Sequence, residues 1–245
     1  MDNNQIKNVV KNKYGEIAKK DSGCCGNCNC GSDSSAAYAK QLGYGDQDIS
    51  SVPTGSNLSL GCGNPTAISS IKPGETVLDL GSGAGFDAFL ASPKVGAEGK
   101  VIGVDMTDEM IQKARENAVK GNYTNIEFKK GDIEDLPVED QSIDVIISNC
   151  VINLAPNKDK VFSEAYRVLK PGGRLMVSDV VLVKSLPEEL RKNEDLLTGC
   201  VSGAMLKQDY LKLLEKAGFK GITISKEEPM FLKDYALSIS YSAYK

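Results

Sequence analysis

The chain has 245 residues, 41% hydrophobic and 25% charged, with a formal net charge of −4. That length buries a full core as one large domain, or one domain plus a small appendage, and no basic stripe of a nucleic-acid binder is visible. Seven cysteines and no histidine exclude an imidazole base, a Ser-His-Asp triad and a mixed Cys/His zinc site.

The start, Met1-Asp2-Asn3-Asn4-Gln5, lacks a signal-peptide apolar region, and no apolar run is long enough to span a bilayer. A cytoplasmic protein with no membrane or nucleic-acid partner is expected. Structural disulfides are rare in that compartment, so clustered thiols point to metal, metalloid or redox chemistry.

Ile6, Val10, Tyr14 and Ile17 lie close to helical spacing and predict a small amphipathic helix over 5–20, packed on the main domain. Asp21–Ser35, rich in Ser, Gly, Asn and Cys, predicts a loop, and Asn57–Thr66 is a second turn-rich segment. From Thr76 onward strands and helices alternate. Strands are expected at Val77–Leu80, Val101–Asp105, Ile126–Lys129, Ile143–Ser148 and Arg174–Val183. Helices are expected near Asp108–Lys120 and Lys158–Leu169, the latter stopped by Lys170-Pro171-Gly172-Gly173. A helix at Gln208–Ala217 and two strands near Phe219–Ser225 and Ala236–Tyr244 follow, the strands as an antiparallel edge pair. Near-continuous apolar strands separated by helices predict a mostly parallel sheet covered on both faces. The chain divides into residues 1–56, a helix and a Cys-rich segment, and a domain over 57–245 with an insertion at about 184–207.

The segment Thr76–Asp87 reads T-V-L-D-L-G-S-G-A-G-F-D. An apolar run carrying an acid stops at Gly81, Gly83 and Gly85, so a buried strand turns into a loop where a cofactor can lie against bare backbone. The third glycine of a G-x-G-x-x-G fingerprint would fall on Phe86; acid-x-G-x-G-x-G fits better. Asp105 ends the second strand at roughly the fingerprint spacing of ~20 residues, where a carboxylate accepts from ribose hydroxyls. Asp132 follows the third strand and suits an exocyclic adenine amine, with apolar Ile133 beside it. Asp79, an acid inside an apolar run, suits either loop amides or a methionyl ammonium.

Together, Leu78–Asp87, Gly103-Val104-Asp105-Met106, Gly131–Pro137, Asp144–Asn149 and Leu169–Gly173 resemble the class I S-adenosylmethionine methyltransferases. The resemblance implies a Rossmann-like α/β fold, a seven-stranded sheet with its last strand reversed, and S-adenosylmethionine as cofactor. It implies contacts from Gly81, Ser82 and Gly83 to the methionine part, from Asp105 to ribose and from Asp132 and Ile133 to adenine. Met106 and Asn149 complete the expected cofactor set.

Three cysteines stand alone: Cys62 in a glycine-flanked loop, Cys150 after the fourth strand and Cys200 in the insertion after the fifth. A single free cysteine packs most often as a small buried hydrophobe. Topology puts Cys150 and Cys200 on the rim where such sheets bind ligands, and soft centres select sulfur. The local sequences resemble those of arsenite methyltransferases. That resemblance implies As(III) ligation by Cys150 and Cys200, with Cys62 joining them or pairing oxidatively with an N-terminal cysteine, by position Cys24 or Cys25. The run Cys24–Cys30 suits relay or redox use, or an all-sulfur metal site. Implied partners are arsenite, methylated As(III) thiol complexes and a small thiol or thioredoxin-type reductant. Two rival readings remain: a carbon methyltransferase acting on a quinone-like acceptor, and a metalloid-binding or redox module without turnover.

Overall fold

A computed structural model of the chain describes residues 2–20, 32–65, 70–230 and 232–245. Seven strands form one sheet: β1 (Thr76–Leu80), β2 (Lys100–Asp105), β3 (Ile126–Lys130), β4 (Ile143–Asn149), β5 (Leu169–Leu182), β6 (Lys220–Pro229) and β7 (Ala236–Tyr244). Their order is β3-β2-β1-β4-β5-β7-β6. Neighbours among β1 to β5 run parallel, while β7 lies antiparallel between β5 and β6. The expected reversal of the last strand is present.

The helices are α1 (Asn3–Lys20), α2 (Ser32–Gln41), α3 (Asp46–Ser51), α4 (Phe86–Val95), α5 (Asp108–Lys120), α6 (Lys158–Val168), α7 (Glu188–Arg191), α8 (Glu194–Thr198) and α9 (Lys207–Ala217). Alternation along the buried strands supplies both faces of the sheet. Val77, Val101, Val145 and Ile147 meet α4 and α5 on one side; Leu78, Leu80, Ile102 and Ile146 meet α6 and α9 on the other. On α5 the buried set is Met110, Ile111, Ala114 and Asn117, one stripe of a 3.6-residue period, with Asp108 and Glu109 at the dipole-favoured end. On the α6–α9 side Phe162 and Tyr210 meet edge to face at 5.2 Å and are fully buried. Truncating Phe162 to Ala there costs about 3–5 kcal/mol.

Two local expectations change. Leu169–Gly173 is not a helix end followed by a free turn: β5 starts at Leu169. The run is captured by the C-terminal residue, since Lys245 N–H donates to Gly173 O at 2.9 Å and Gly172 N–H to Lys245 O at 3.1 Å. The pairing of β4 with β5 shifts register between Ile143 and Val145 to absorb the extra residues. Of the expected loop Asp21–Ser35, residues 32–35 belong to α2, and Cys24, Cys25, Cys28 and Cys30 lie outside the described residues. Among the described residues no helix is long and apolar enough to cross a membrane.

Candidate active site

A cavity opens at the carboxyl ends of β1, β2 and β4, walled by Asp79, Gly81, Ser82, Gly83, Asp105, Met106, Asp132, Ile133, Asn149 and Cys150. These residues come from the strand ends and the loops that follow, as a parallel sheet arranges its ligand rim. The glycine loop is left-handed at Gly81 (φ +65°), Gly83 (φ +52°) and Gly85 (φ +97°), which only glycine adopts without strain. A Cβ on Gly81 would lie 2.4 Å from Val151 Cγ2, whereas Gly83 faces open space apart from the Met110 sulfur at 3.9 Å. Gly83 therefore presents bare backbone to the cavity.

Four carboxylates face this space, those of Asp79, Asp87, Asp105 and Asp132. Asp105 Oδ2 accepts from Gly83 N–H at 3.0 Å and its Oδ1 from Thr107 N–H at 2.8 Å. Burial raises its pKa against those bonds. Asp79 is 2% exposed. Its Oδ2 has no hydrogen-bond partner among the described residues, and the nearby Ala88 amide opposes the rise in its pKa. Burial, then the charges of Asp87 and Asp105, push its pKa well up. Asp87, the first residue past the glycine loop to carry an acid, is pushed up to about 6 by burial, with hydrogen bonds from Tyr44 and Asn149 opposing. Tyr44 Oη donates to Asp87 Oδ1 at 2.6 Å, and Asn149 Nδ2 donates to Asp87 Oδ2 at 3.1 Å. An acid cluster with an orphaned buried oxygen is completed by a cation. The ammonium and sulfonium of S-adenosylmethionine fit that demand, and its hydroxyls and amine fit Asp105 and Asp132.

The thiol end adjoins it. Asn149 reaches across, its Oδ1 accepting from Cys62 N–H at 2.9 Å and its Nδ2 donating to Gly63 O at 2.9 Å. The glycines beside Cys62 permit this approach: a Cβ on Gly61 would lie 2.6 Å from Asn149 Nδ2, and one on Gly63 2.5 Å from Ser178 Cβ. Cys62, Cys150 and Cys200 all belong to one buried apolar cluster with Leu154, Val180 and Val201. Cys62 and Cys150 are joined by a disulfide, with Cα atoms 5.8 Å apart. Cys200 carries a free thiol, which donates to the Cys150 carbonyl at 2.8 Å. Where the sequence reading left Cys62 to join an arsenic site or pair with Cys24 or Cys25, its partner here is Cys150. Cys150 (φ +58°) and Cys200 (φ +64°) both sit in the left-handed region, uncommon for residues with a Cβ and concentrated where surroundings enforce a functional geometry.

Behind the sulfurs lies a polar group that sequence reading missed. Asp179 on β5 is fully buried, and one of its carboxylate oxygens lies within 4.8 Å of both the Cys62 and the Cys150 sulfur. It accepts from Asn153 Nδ2 at 2.8 Å and from Tyr210 Oη at 3.1 Å. Burial raises its pKa to about 7 against those bonds and the charge of Lys158. Burial, then the Asp179 charge, push the Cys200 thiol far above its ordinary range, opposed by Lys158 and Tyr14. The residue before it, Ser178, touches the Cys62 loop; a lone Ser-Asp pair in an apolar strand carried no motif to flag it.

Helix α1 closes the opening. Lys7, Val10 and Tyr14 line the cavity. Lys7 Nζ binds Asp132 Oδ2 at 2.5 Å and Glu134 Oε2 at 2.7 Å, so the predicted adenine contact is held from above by an ammonium. The places of Lys7, Tyr14 and Tyr44 in the cavity wall are not legible in the sequence, because they depend on contacts across the chain.

The family profile described as "Methyltransferase domain" matches residues 71–218. The arsenite methyltransferase of Halobacterium salinarum is 47% identical over 96% of this chain, and that of Aquipseudomonas alcaligenes is 39% identical over 94%. The chain spans 63% and 66% of the lengths of those two proteins. Among solved structures, an arsenic (III) S-adenosylmethionine methyltransferase from Chlamydomonas reinhardtii superposes with a TM-score of 0.69 at 37% identity, covering 86% of this chain and 72% of that one. With the profile, the sheet order and the glycine loop in agreement, the chain belongs to the arsenite S-adenosylmethionine methyltransferases, a branch of the class I methyltransferases.

Proposed function

We propose that this chain methylates trivalent arsenic held by its cysteine thiolates, with arsenite as the starting substrate. The observation that supports this best is the meeting of Cys62, Cys150 and Cys200 in one buried cluster beside the acid-lined cavity. Three sulfurs suit a soft centre such as As(III), which takes three ligands and keeps a lone pair. A quinone-like acceptor gives no use for them.

When bound, S-adenosylmethionine supplies an electrophilic methyl group. Asp79 and Asp87 hold the ammonium, Asp105 the ribose, and Asp132 with Ile133 the adenine. Gly81, Ser82, Gly83, Met106 and Asn149 frame the methionine part. On the other side Cys150 and Cys200, joined by Cys62, displace hydroxyls from As(OH)3, each new As–S bond releasing one water. The lone pair of the resulting pyramidal arsenic carries no proton, so the chain needs no base at this step and its lack of His is no handicap. Its contribution is proximity and alignment, for which effective molarities of order 10⁵–10⁸ M are available.

Methylation leaves arsenic oxidised by two electrons. Closure of two of the arsenic-bound thiolates to a disulfide breaks their As–S bonds and returns those two electrons to arsenic, and the Cys62–Cys150 bond has the form of that product. A small thiol or thioredoxin-type reductant then reopens it, and methylated As(III) thiol complexes leave. This cycle belongs in the reducing cytoplasm. Cys24 and Cys25 act as a relay on the N-terminal segment 1–56, ahead of a catalytic domain over 57–245 whose insertion, 184–207, brings Cys200. The test is incubation with arsenite, S-adenosylmethionine and a thiol, followed by arsenic speciation. Methylated arsenicals are expected; S-adenosylhomocysteine release that arsenite does not stimulate would overturn the reading.

A further inference from the structure

Lys7, Val10 and Tyr14 stand at i, i+3 and i+7 on α1 and form one stripe along its buried face. Tyr14 is at the thiol end of that stripe. Its ring packs against the cluster of the three cysteines. Its hydroxyl donates to the Thr198 carbonyl at 3.1 Å, a contact across 184 residues of sequence.

Cys200 depends on such an anchor. It follows a five-residue helix, α8, and its left-handed backbone persists only because its surroundings impose it. The chain beyond it passes Asn153 so closely that a Cβ on Gly203 would lie 2.3 Å from the Asn153 carbonyl oxygen. Short helices of this kind are marginal alone, and the Cys200 N–H bond to Leu197 O stays within the insertion. Tyr14 ties the turn to a separate element.

We propose that Tyr14 is a positioning residue for Cys200: its hydroxyl fixes the 198–200 turn so that the Cys200 sulfur stays against Cys150. A complete set of arsenic ligands then depends on a helix that lies outside the matched methyltransferase residues 71–218. The proposal rests on the arsenic reading for its meaning in catalysis, but the geometric part can be measured without turnover.

The decisive variant is Tyr14→Phe, which keeps the ring and removes the hydroxyl. In thiol-reduced protein, iodoacetamide should alkylate Cys200 about five-fold faster than in the wild type, the scale of one lost hydrogen bond, with Cys62 and Cys150 unchanged by peptide mass mapping. The KM for arsenite should rise by a similar factor while the KM for S-adenosylmethionine stays put. Val10→Ala, which loosens α1 without touching the hydroxyl, serves as the comparison and should lower Tm and raise the cofactor KM. Wild-type alkylation of Cys200 in Tyr14→Phe overturns the proposal. So does a Tyr14→Phe profile that copies Val10→Ala, which would leave Tyr14 only a docking contact. Should the wild type fail to methylate arsenite at all, the functional reading falls, and the alkylation rates alone still decide the role of Tyr14.

Discussion

The two ends of the active site are built on opposite electrostatic plans. The cofactor end gathers Asp79, Asp87 and Asp105, all with raised pKa values from burial, and leaves Asp79 Oδ2 unpartnered. Burial favours the neutral forms of these acids, and a cation in the cavity would favour the charged ones. The thiol end is already satisfied: Cys62 is bonded to Cys150, and Cys200 donates to a carbonyl. While that bond stands, Cys200 carries the one thiol of the three. On the function proposed above, one end waits for its ligand and the other for a reductant.

The sharpest way to separate them is to remove sulfur alone. Cys150→Ser and Cys200→Ser should each lower arsenite methylation on the order of 10²-fold or more, since misplacing a reacting group by an ångström costs that much. Cofactor affinity, followed by calorimetry, should be unchanged. Cys150→Ser also loses the bond to Cys62, which closes a span of 88 residues, so both variants are compared in thiol-reduced protein. Full turnover in either would remove its liganding role.

The reverse experiment acts on the other end. Asp79→Asn keeps the shape and removes a carboxyl group whose Oδ2 has no hydrogen-bond partner among the described residues. Hydrogen bonds to charged groups are worth about 1.5–3 kcal/mol, so the S-adenosylmethionine Kd should rise roughly ten- to hundredfold while alkylation rates of the reduced thiols stay at wild-type values. An unchanged Kd would mean that Asp79 only braces the glycine loop.

The two ends also differed in how much the sequence disclosed. The cofactor end is mostly contiguous: the strand, the three glycines and Asp105 fall in or near one βαβ unit, where spacing alone sets the geometry. Even there the motif gives Asp87 no task, because its partners Tyr44 and Asn149 come from 43 and 62 residues away. Helix α4 went unnamed because Gly85 before it and Pro93 inside it read as punctuation. At the thiol end the three cysteines were visible, and topology put two of them on the rim. The Cys62–Cys150 bond, the Asp179 carboxylate behind it and Tyr14 above Cys200 were not legible. Each is a product of long-range packing between the loop before β1, the ends of β4 and β5, and α1.

A pH series extends the contrast. Asp87 has its folded pKa raised to about 6, above the ordinary carboxylate value. Its contribution to stability is fully present below the unfolded pKa and is lost as pH rises through about 6. The free protein should therefore lose Tm between pH 5 and 7 from this group, and saturating S-adenosylmethionine should protect most at the upper end, where the acids are charged. Asp87→Asn should flatten that dependence and bring the two curves closer. A wild-type Tm gap between free and bound protein that is constant from pH 5 to 7.5 would refute the idea that these acids await a cation.

The smallest effect expected is at the seam where α1 touches the cofactor end. Lys7 pairs with Asp132 and Glu134, and the Lys7 and Asp132 side chains keep 26% and 35% of their surface exposed. Partly exposed pairs are worth about 0–1 kcal/mol, and salt screens them. Lys7→Met retains the stem that covers the cavity, so its loss of charge should weaken S-adenosylmethionine binding by no more than about five-fold, less at high ionic strength. Cys200 should keep its wild-type alkylation rate, because Tyr14 and the rest of α1 hold the far end. A change in Cys200 reactivity on removing Lys7 would show that the helix transmits between the two ends as a rigid bar, and the division drawn between them would have to be replaced by a single coupled site.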